Sequence, residues 1–132
     1  MWHTYERIPY AYWAMGRPIL IVDDDPLITE ALASLLDLKG FECSTAANGR
    51  EAIDAISRQR PRLVFLDLQM PVLDGASVVK ELRARGESVP IVLMSAALDL
   101  AARASELGVP AYLSKPFSDV DLLSVIERFA AA

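Results

Sequence analysis

Five side chains that can bind a cation or a phosphoryl group each come at the end of a short apolar run: Asp23, Asp24, Asp67, Ser95 and Lys115. The runs read PILIV, LVFL, VPIVLM and AYLS. Short continuous apolar runs are typical of strands that are buried on both faces of a parallel sheet. Because parallel strands end at the same edge, we expect these five side chains to share one cleft.

The chemistry of such a cleft suits a divalent cation and a phosphoryl group. Adjacent ionised carboxylates repel, so Asp23 and Asp24 need a cation nearby. Mg²⁺ prefers oxygen ligands and is typically held by one or two carboxylates with waters. We predict Asp24 and Asp67 as direct ligands, together with a main-chain carbonyl from the loop after Asp67.

Asp67 is also the candidate nucleophile. A carboxylate beside a metal ion and Lys115 can attack a phosphoryl group, while the two cations neutralise the charge on its oxygens. Ser95 would then hydrogen-bond to a phosphoryl oxygen and sense its presence. From these residues alone, a purely structural interpretation stays open, in which Asp67 ends a strand and caps a turn.

Helical patterns separate the apolar runs. Asp25 followed by Pro26 is a typical helix start, and Ser118 with Asp121 resembles a capping box. The predicted helices cover residues 27–39, 49–60, 75–85, 99–107 and 119–129, and the predicted strands cover 18–22, 41–46, 63–66, 89–94 and 111–114. Alternation of strand and helix five times predicts an α/β fold, with a five-stranded parallel sheet and helices on both faces.

Composition narrows the class of protein. The chain has 132 residues, which fits one domain with its own core. A net charge of -5 without a basic cluster argues against direct binding of nucleic acid. No apolar run approaches the length that a membrane span needs. The single cysteine, Cys43, allows no internal disulfide and is predicted to be a buried strand residue, so we expect a cytoplasmic protein.

The segment 1–17 differs from the predicted domain, 18–132. Its five large aromatic residues are Trp2, Tyr5, Tyr10, Tyr12 and Trp13. Three interpretations stay open: the segment packs as an arm on this domain or on a neighbouring subunit, it is disordered, or it comes from a misplaced start site. His3, the only histidine, has no ligand-type neighbours and is interpreted as a surface residue.

Four motifs together resemble the receiver domain of response regulators in two-component signalling. They are IVDDDP at 21–26, LDLQMPVLDG at 66–75, MSA at 94–96 and LSKPF at 113–117. They occur in the order and spacing of that family across 18–132. The resemblance implies the flavodoxin-like strand order 2-1-3-4-5, an order for which a member of this family is a standard example.

The resemblance also implies a role for each motif residue. Asp67 is similar to the phosphoacceptor, which takes its phosphoryl group from a histidine kinase or a phosphotransfer protein. Mg²⁺ would be bound by Asp24, Asp67 and the main-chain carbonyl of Gln69, with Asp23 acting through water. Lys115 matches the lysine that contacts the phosphoryl group.

Three further residues match the switching part of the family. Ser95 is similar to the switch hydroxyl, and Ala96 to the small neighbour that leaves room for the phosphoryl group. Tyr112 matches an aromatic residue that turns inward when the hydroxyl moves, although an ordinary packed tyrosine stays an alternative. The bond between Lys115 and Pro116 is cis in the family.

The implied function is a switch that acts through protein contacts rather than an enzyme that turns over an external substrate. The face formed by the last two helices and the last strand would change partners. The partners implied are a downstream protein target or a second copy of the chain, and no membrane. Gln69 and Ala97 stand at positions that tune the lifetime of the phosphoryl group, so that lifetime stays open.

Two other functions compete with the switch. Asp23 and Asp25, with Ser95 and Lys115, weakly resemble the motif order of haloacid-dehalogenase-like phosphatases. That interpretation lacks the late acidic motif of those enzymes and leaves Asp67 unexplained. The other is a receiver-like scaffold that works unphosphorylated, with the N-terminal aromatic residues as an assembly surface.

Overall fold

The computed structural model describes residues 16–130, which form five strands and five helices in alternation. The strands are β1 (Ile19–Val22), β2 (Cys43–Ala46), β3 (Leu63–Asp67), β4 (Ile91–Ser95) and β5 (Ala111–Ser114). The helices are α1 (Pro26–Leu38), α2 (Gly49–Gln59), α3 (Gly75–Ala84), α4 (Leu100–Leu107) and α5 (Asp119–Ala130). The predicted alternation is therefore confirmed.

All five strands are parallel, in the order β2-β1-β3-β4-β5. This confirms the fold class and the strand order that the family resemblance implied. Val22 pairs with Leu66, and Ser95 pairs with Ser114. Because of this register, the residues that follow β1 and β5 and the last residues of β3 and β4 meet at one edge of the sheet.

The sheet carries a hydrophobic core on each face. One core joins alternate residues of the strands to α2, α3 and α4, and the other joins the intervening residues to α1 and α5. Leu20 and Ile21 show the alternation, since they are neighbours in β1 and belong to different cores. A strand buried on both faces needs apolar residues at every position, which explains the unbroken runs.

The predicted capping residues take up their roles. The Asp25 side chain accepts a hydrogen bond from the backbone N–H of Leu27 at 3.0 Å. Ser118 and Asp121 exchange two side-chain to backbone hydrogen bonds, which completes a capping box. Asp99 makes no side-chain cap hydrogen bond, and the helix predicted from it begins one residue later.

Two strands begin two residues later than predicted. β2 begins at Cys43 rather than at residue 41, because the N–H of Phe41 closes the end of α1 by donating to the Leu36 carbonyl. β4 begins at Ile91 rather than at residue 89 and includes Ser95. The prediction that Cys43 is buried is wrong, since it is only partly buried in an edge strand.

The N-terminal extension falls almost wholly outside the described residues. Of the segment 1–17, the structure describes Gly16 and Arg17, whose guanidinium donates to the Arg60 carbonyl at 3.2 Å. The three interpretations of this segment, and the prediction for His3, therefore stay untested. Among residues 16–130, no helix is long and apolar enough to cross a bilayer.

Candidate functional site

Three carboxylates meet at the edge where the strands end. Asp23, Asp24 and Asp67 each offer an oxygen atom, and these atoms lie within 4.8 Å of one another. Asp67 is the last residue of β3, while Asp23 and Asp24 directly follow β1. The pairing of β1 with β3 therefore brings together acids that are more than forty positions apart in the chain.

The most buried of these acids is Asp23, which is only 2% exposed. One of its oxygens accepts a hydrogen bond from the N–H of Asp25 at 3.0 Å, and the other lies 2.7 Å from the Lys115 ammonium. Lys115 is thus the cation that the adjacent acids were predicted to need. With both oxygens engaged, the Asp23 carboxylate fixes the position of Lys115.

Asp67 is also buried, with 5% of its surface exposed. Its second carboxylate oxygen lies 3.6 Å from the Lys115 ammonium, and its first accepts a hydrogen bond from the N–H of Gln69 at 3.3 Å. Burial raises the pKa of Asp67 above its usual value, and nearby Lys115 opposes this in part. One ammonium does not fully compensate the charge of the site.

The loop that follows Asp67 is held close to it at both ends. A Cβ atom on Gly75 would lie only 2.5 Å from the Asp67 carbonyl oxygen, so a side chain at this position would clash with the backbone. Asp74 caps α3 through the N–H of Ser77, and this hydrogen bond lowers the pKa of Asp74. The motif LDLQMPVLDG thus ends in a glycine required by packing, a role that the sequence analysis did not identify.

A tight turn lies within this loop. The N–H of Leu73 donates to the Pro71 carbonyl at 2.8 Å, and the residue between them, Val72, has a φ of 72°. A β-branched residue at positive φ is an outlier, because its Cβ crowds the backbone. The exposed Val72 side chain is therefore presented from a strained backbone. No sequence pattern predicts this turn.

The hydroxyl of Ser95 lies at the carboxyl end of the strand next to β3. Ser95 is 1% exposed, and its Oγ accepts a hydrogen bond from the N–H of Ala97 at 3.0 Å. The N–H of Lys115 donates to the Ser95 carbonyl at 2.8 Å, which joins the ends of β4 and β5. Ala96 is exposed, and the peptide bond between Lys115 and Pro116 is cis.

Tyr112 is not part of the acidic cleft. It is a residue of β5 and is 45% exposed, so its ring faces outward in this structure. Gln69 is exposed and Ala97 is partly exposed. The structure thus brings together the acids and Lys115 and puts Ser95 at the same edge, whereas Tyr112 lies apart from them.

Comparison with known proteins agrees with this geometry. Residues 19–127 match the response regulator receiver domain family. The chain is 41% identical over 108 residues to the response regulator MprA of Mycolicibacterium vanbaalenii, an alignment that covers 80% of this chain and 47% of MprA. It is 40% identical over 111 residues to the transcriptional regulatory protein PrrA of Mycobacterium tuberculosis, covering 83% of this chain and 48% of PrrA.

Solved structures with a similar fold include receiver domains of signalling proteins. The receiver domain of the sensor histidine kinase PA1611 from Pseudomonas aeruginosa, which has a magnesium ion in its active-site cleft, superposes with a TM-score of 0.79 at 30% identity, over 89% of this chain and 99% of that one. The chemotaxis protein CheY4 of Vibrio cholerae gives a TM-score of 0.77 at 29% identity, over 86% of this chain and 98% of that one.

The fold is flavodoxin-like, with an acidic cleft at the edge of the sheet where the strands end. The chain belongs to the response regulator receiver domain family of two-component systems. It spans about half the length of the curated relatives it matches. The phosphatase interpretation gains no support from this assignment.

The buried charge of Asp67 predicts a dependence of stability on pH. Because its pKa is raised in the folded state, ionisation costs stability as pH rises from the unfolded-state pKa through the folded-state pKa, and the cost stays above that range. Without added metal, Asp67→Asn should therefore raise the free energy of unfolding at pH 7. The gain should vanish at a pH below the usual aspartate pKa.

Chemical denaturation at several pH values checks this prediction. Asp99→Asn serves as the control, because Asp99 is exposed at the same edge and makes no side-chain cap hydrogen bond. A pH-independent effect of Asp67→Asn, or an equal effect of Asp99→Asn, would contradict the assigned cost of burial.

Proposed function

We propose that Asp67 accepts a phosphoryl group from a histidine kinase or a phosphotransfer protein, in the presence of Mg²⁺. The observation that carries this proposal is the close approach of Asp23, Asp24 and Asp67 to one another, with the ammonium of Lys115 beside Asp23 and Asp67. In the transfer, the bond between the donor nitrogen and phosphorus breaks, and a bond from phosphorus to an Asp67 oxygen forms.

The donor set fits Mg²⁺. Asp24 is exposed and lies within reach of Asp67, so these two carboxylates and the main-chain carbonyl of Gln69 would hold the ion. Both oxygens of Asp23 are already engaged, which favours its contact through water rather than directly. When bound, the ion supplies positive charge to the phosphoryl oxygens.

Lys115 has two tasks in this proposal. Before transfer it compensates the buried charge of Asp23, at 2.7 Å, and stays 3.6 Å from Asp67. After transfer it contacts a phosphoryl oxygen on Asp67, because a phosphoryl group on that side chain extends toward the ammonium. A positioned ammonium stabilises the negative charge on the transferring group without needing to reorganise.

Ser95 and Tyr112 would couple the phosphoryl group on Asp67 to a change in the protein-binding surface. The Ser95 oxygen accepts a hydrogen bond from Ala97, so its own hydrogen is left to donate to a phosphoryl oxygen. A shift of Ser95 toward that oxygen opens space beneath β5, into which the outward-facing Tyr112 ring turns. The face formed by α4, β5 and α5 then changes its contacts.

Exposed apolar side chains around the cleft support a protein as phosphodonor. Leu27, Val72, Leu98 and Val120 are four large apolar residues with high exposure, and each lies on a different segment that follows a strand. A small phosphodonor is too small to contact these four side chains together. A protein donor would bury them when it brings its phosphorylated side chain to Asp67.

The downstream partner is proposed to be a protein. MprA is named a response regulator and PrrA a transcriptional regulatory protein, and each is about twice as long as the part that this chain matches. The net charge of -5 argues against direct binding of nucleic acid. A homodimer through the face of α4, β5 and α5, and a cytoplasmic location, remain proposals of the same kind.

Phosphorylation at Asp67 can be tested with a small phosphodonor such as acetyl phosphate. We expect the intact mass to rise by one phosphoryl group only with Mg²⁺, and Asp67→Asn to abolish the gain because the nucleophile is lost. The control Asp99→Asn should label like the unsubstituted chain. Unchanged labelling in Asp67→Asn would overturn the site, and no labelling of any form would favour the unphosphorylated scaffold.

Binding of Mg²⁺ should stabilise the folded chain. A ligand that binds only the folded state adds about 2.7 kcal/mol to the free energy of unfolding at one hundred times its Kd. Asp24→Asn should remove most of this gain because a direct ligand is lost, while Asp99→Asn should keep it. Thermal or chemical denaturation across a magnesium titration measures the effect, and an equal gain in Asp24→Asn would exclude the proposed ligand set.

The coupling of Ser95 to Tyr112 can be followed by NMR with Mg²⁺ and beryllofluoride, a mimic of the phosphoryl group. We expect amide shifts at Asp67, Tyr112 and α4. Ser95→Ala should keep the shift at Asp67 and lose the one at Tyr112, because the hydroxyl that carries the change is gone. Ser114→Ala, an exposed serine paired with Ser95, is the matched control; an undiminished Tyr112 shift in Ser95→Ala would contradict the switch.

A further inference from the structure

Gly49 lies in very close contact with the loop that joins β3 to α3. It is the first residue of α2 and is buried. A Cβ atom on Gly49 would overlap the carbonyl oxygen of Leu73, and it would lie 2.8 Å from the Leu73 Cβ and 2.7 Å from a methyl carbon of Val78. Real Cβ atoms essentially never come within 3.0 Å of another such atom. Only glycine therefore fits here without displacing a neighbour.

The backbone conformation of Gly49 does not explain why this residue is glycine. Its φ lies outside the left-handed region, unlike those of Gly40, Gly86 and Gly108. Glycine is also a poorer helix former than alanine, so the helix itself gains nothing from it. The close contact with the loop is the physical reason for glycine at this position.

The first turn of α2 is fixed by its own hydrogen bonds. The Asn48 side chain accepts a hydrogen bond from the N–H of Glu51 at 2.9 Å, and the Glu51 carboxylate accepts one from the N–H of Ala47 at 3.2 Å. The guanidinium of Arg50 lies 3.4 Å from the Glu81 carboxylate, which links this turn to α3. A side chain added at the helix start would therefore displace the loop rather than the helix.

The loop is tied at its two ends and supported in between. The N–H of Leu68 donates to the Met94 carbonyl at 3.1 Å, which ties the start of the loop to β4. The N–H of Gly75 donates to the Leu68 carbonyl at 3.0 Å, which brings the end of the loop back to its start. The segment 69–73 lies between these ties, and the contact of Leu73 with α2 supports its last residue.

A displacement of Leu73 would reach Gln69, because the segment between them is short and contains a tight turn. The N–H of Leu73 donates to the Pro71 carbonyl at 2.8 Å, and Val72 between them has a φ of 72°. Such a three-residue turn is strained and leaves little freedom to absorb a shift. A group that binds a ligand has to be held within about 0.5 Å of its productive position.

We propose that Gly49 is a positioning residue for the metal-binding loop. Because it has no side chain, Leu73 packs directly on α2, and this contact fixes the main-chain carbonyl of Gln69. The inference rests on the proposed function, in which that carbonyl is a ligand of Mg²⁺. Gly49 lies outside the four sequence motifs and acts through Leu73 rather than by contact with the ion.

The variant Gly49→Ala tests this role, because it adds only the Cβ atom. We expect the Kd for Mg²⁺, measured by isothermal titration calorimetry, to rise about tenfold or more, as is typical when a group that orients a metal ligand is lost. In the metal-free chain, the amide resonances of Gln69 and Leu73 should shift in the NMR spectrum.

Ile56→Val is the matched control in the same helix. It removes a buried methyl group from the second half of α2, so it lowers stability without adding an atom beside the loop. Its Kd for Mg²⁺ and its amide resonances at Gln69 and Leu73 should equal those of the unsubstituted chain.

A second pair of variants separates the loop contact from packing against α3. Val78→Ala removes the methyl carbon that the new Cβ would meet, while the Leu73 carbonyl stays in place. Adding Gly49→Ala to Val78→Ala should raise the Kd for Mg²⁺ about tenfold over Val78→Ala alone. Circular dichroism shows which variants are folded, and this pair decides the proposal where Gly49→Ala alone does not fold.

Three results would overturn the proposal: an unchanged Kd in folded Gly49→Ala, an equal rise of the Kd in Ile56→Val, or failure of both Gly49→Ala forms to fold while Val78→Ala folds. The last would make the glycine a requirement of folding itself. Absence of Mg²⁺ binding by the unsubstituted chain would instead overturn the proposed function. The metal-free amide shifts then decide the role of Gly49, and unchanged shifts at Gln69 would exclude it.

Discussion

The structure depends on burying two carboxylates beside a single ammonium. Asp23 and Asp67 are almost inaccessible to solvent, and Lys115 is the charged group that lies near both. Removing charge from water is costly unless it is paired, and here the pairing is incomplete. The pKa of Asp67 is raised because too little positive charge lies near the two buried carboxylates. A divalent cation bound in the cleft would supply that charge.

The parallel sheet makes this arrangement possible. Each functional group lies at or just beyond the end of a strand, so the backbone ladder sets their separations, rather than flexible loops. The close approach of Gly75 to the Asp67 carbonyl fixes the first turn of α3 against the same strand. The chemistry is therefore supported by rigid elements, which is what transfer of a phosphoryl group requires.

Much of this arrangement could be predicted from the sequence. Unbroken apolar runs predicted β1, β3 and β4, and their terminal residues predicted the acidic cleft, because strand ends converge in any parallel sheet. Strand boundaries were less predictable, since Phe41 uses its N–H to close α1 instead of pairing in β2. The positive φ of Val72 could not be predicted, because valine disfavours this conformation.

The acidic cleft and the exposed apolar residues around it are subject to different structural constraints. An acid, an ammonium and a hydroxyl at fixed separations serve any phosphodonor equally well, so the cleft itself does not determine specificity for one partner. Leu27, Val72, Leu98 and Val120 project into solvent and support none of the buried core, so they are free to diverge. After gene duplication, two copies of such a domain can therefore acquire different binding partners while the acidic cleft stays the same.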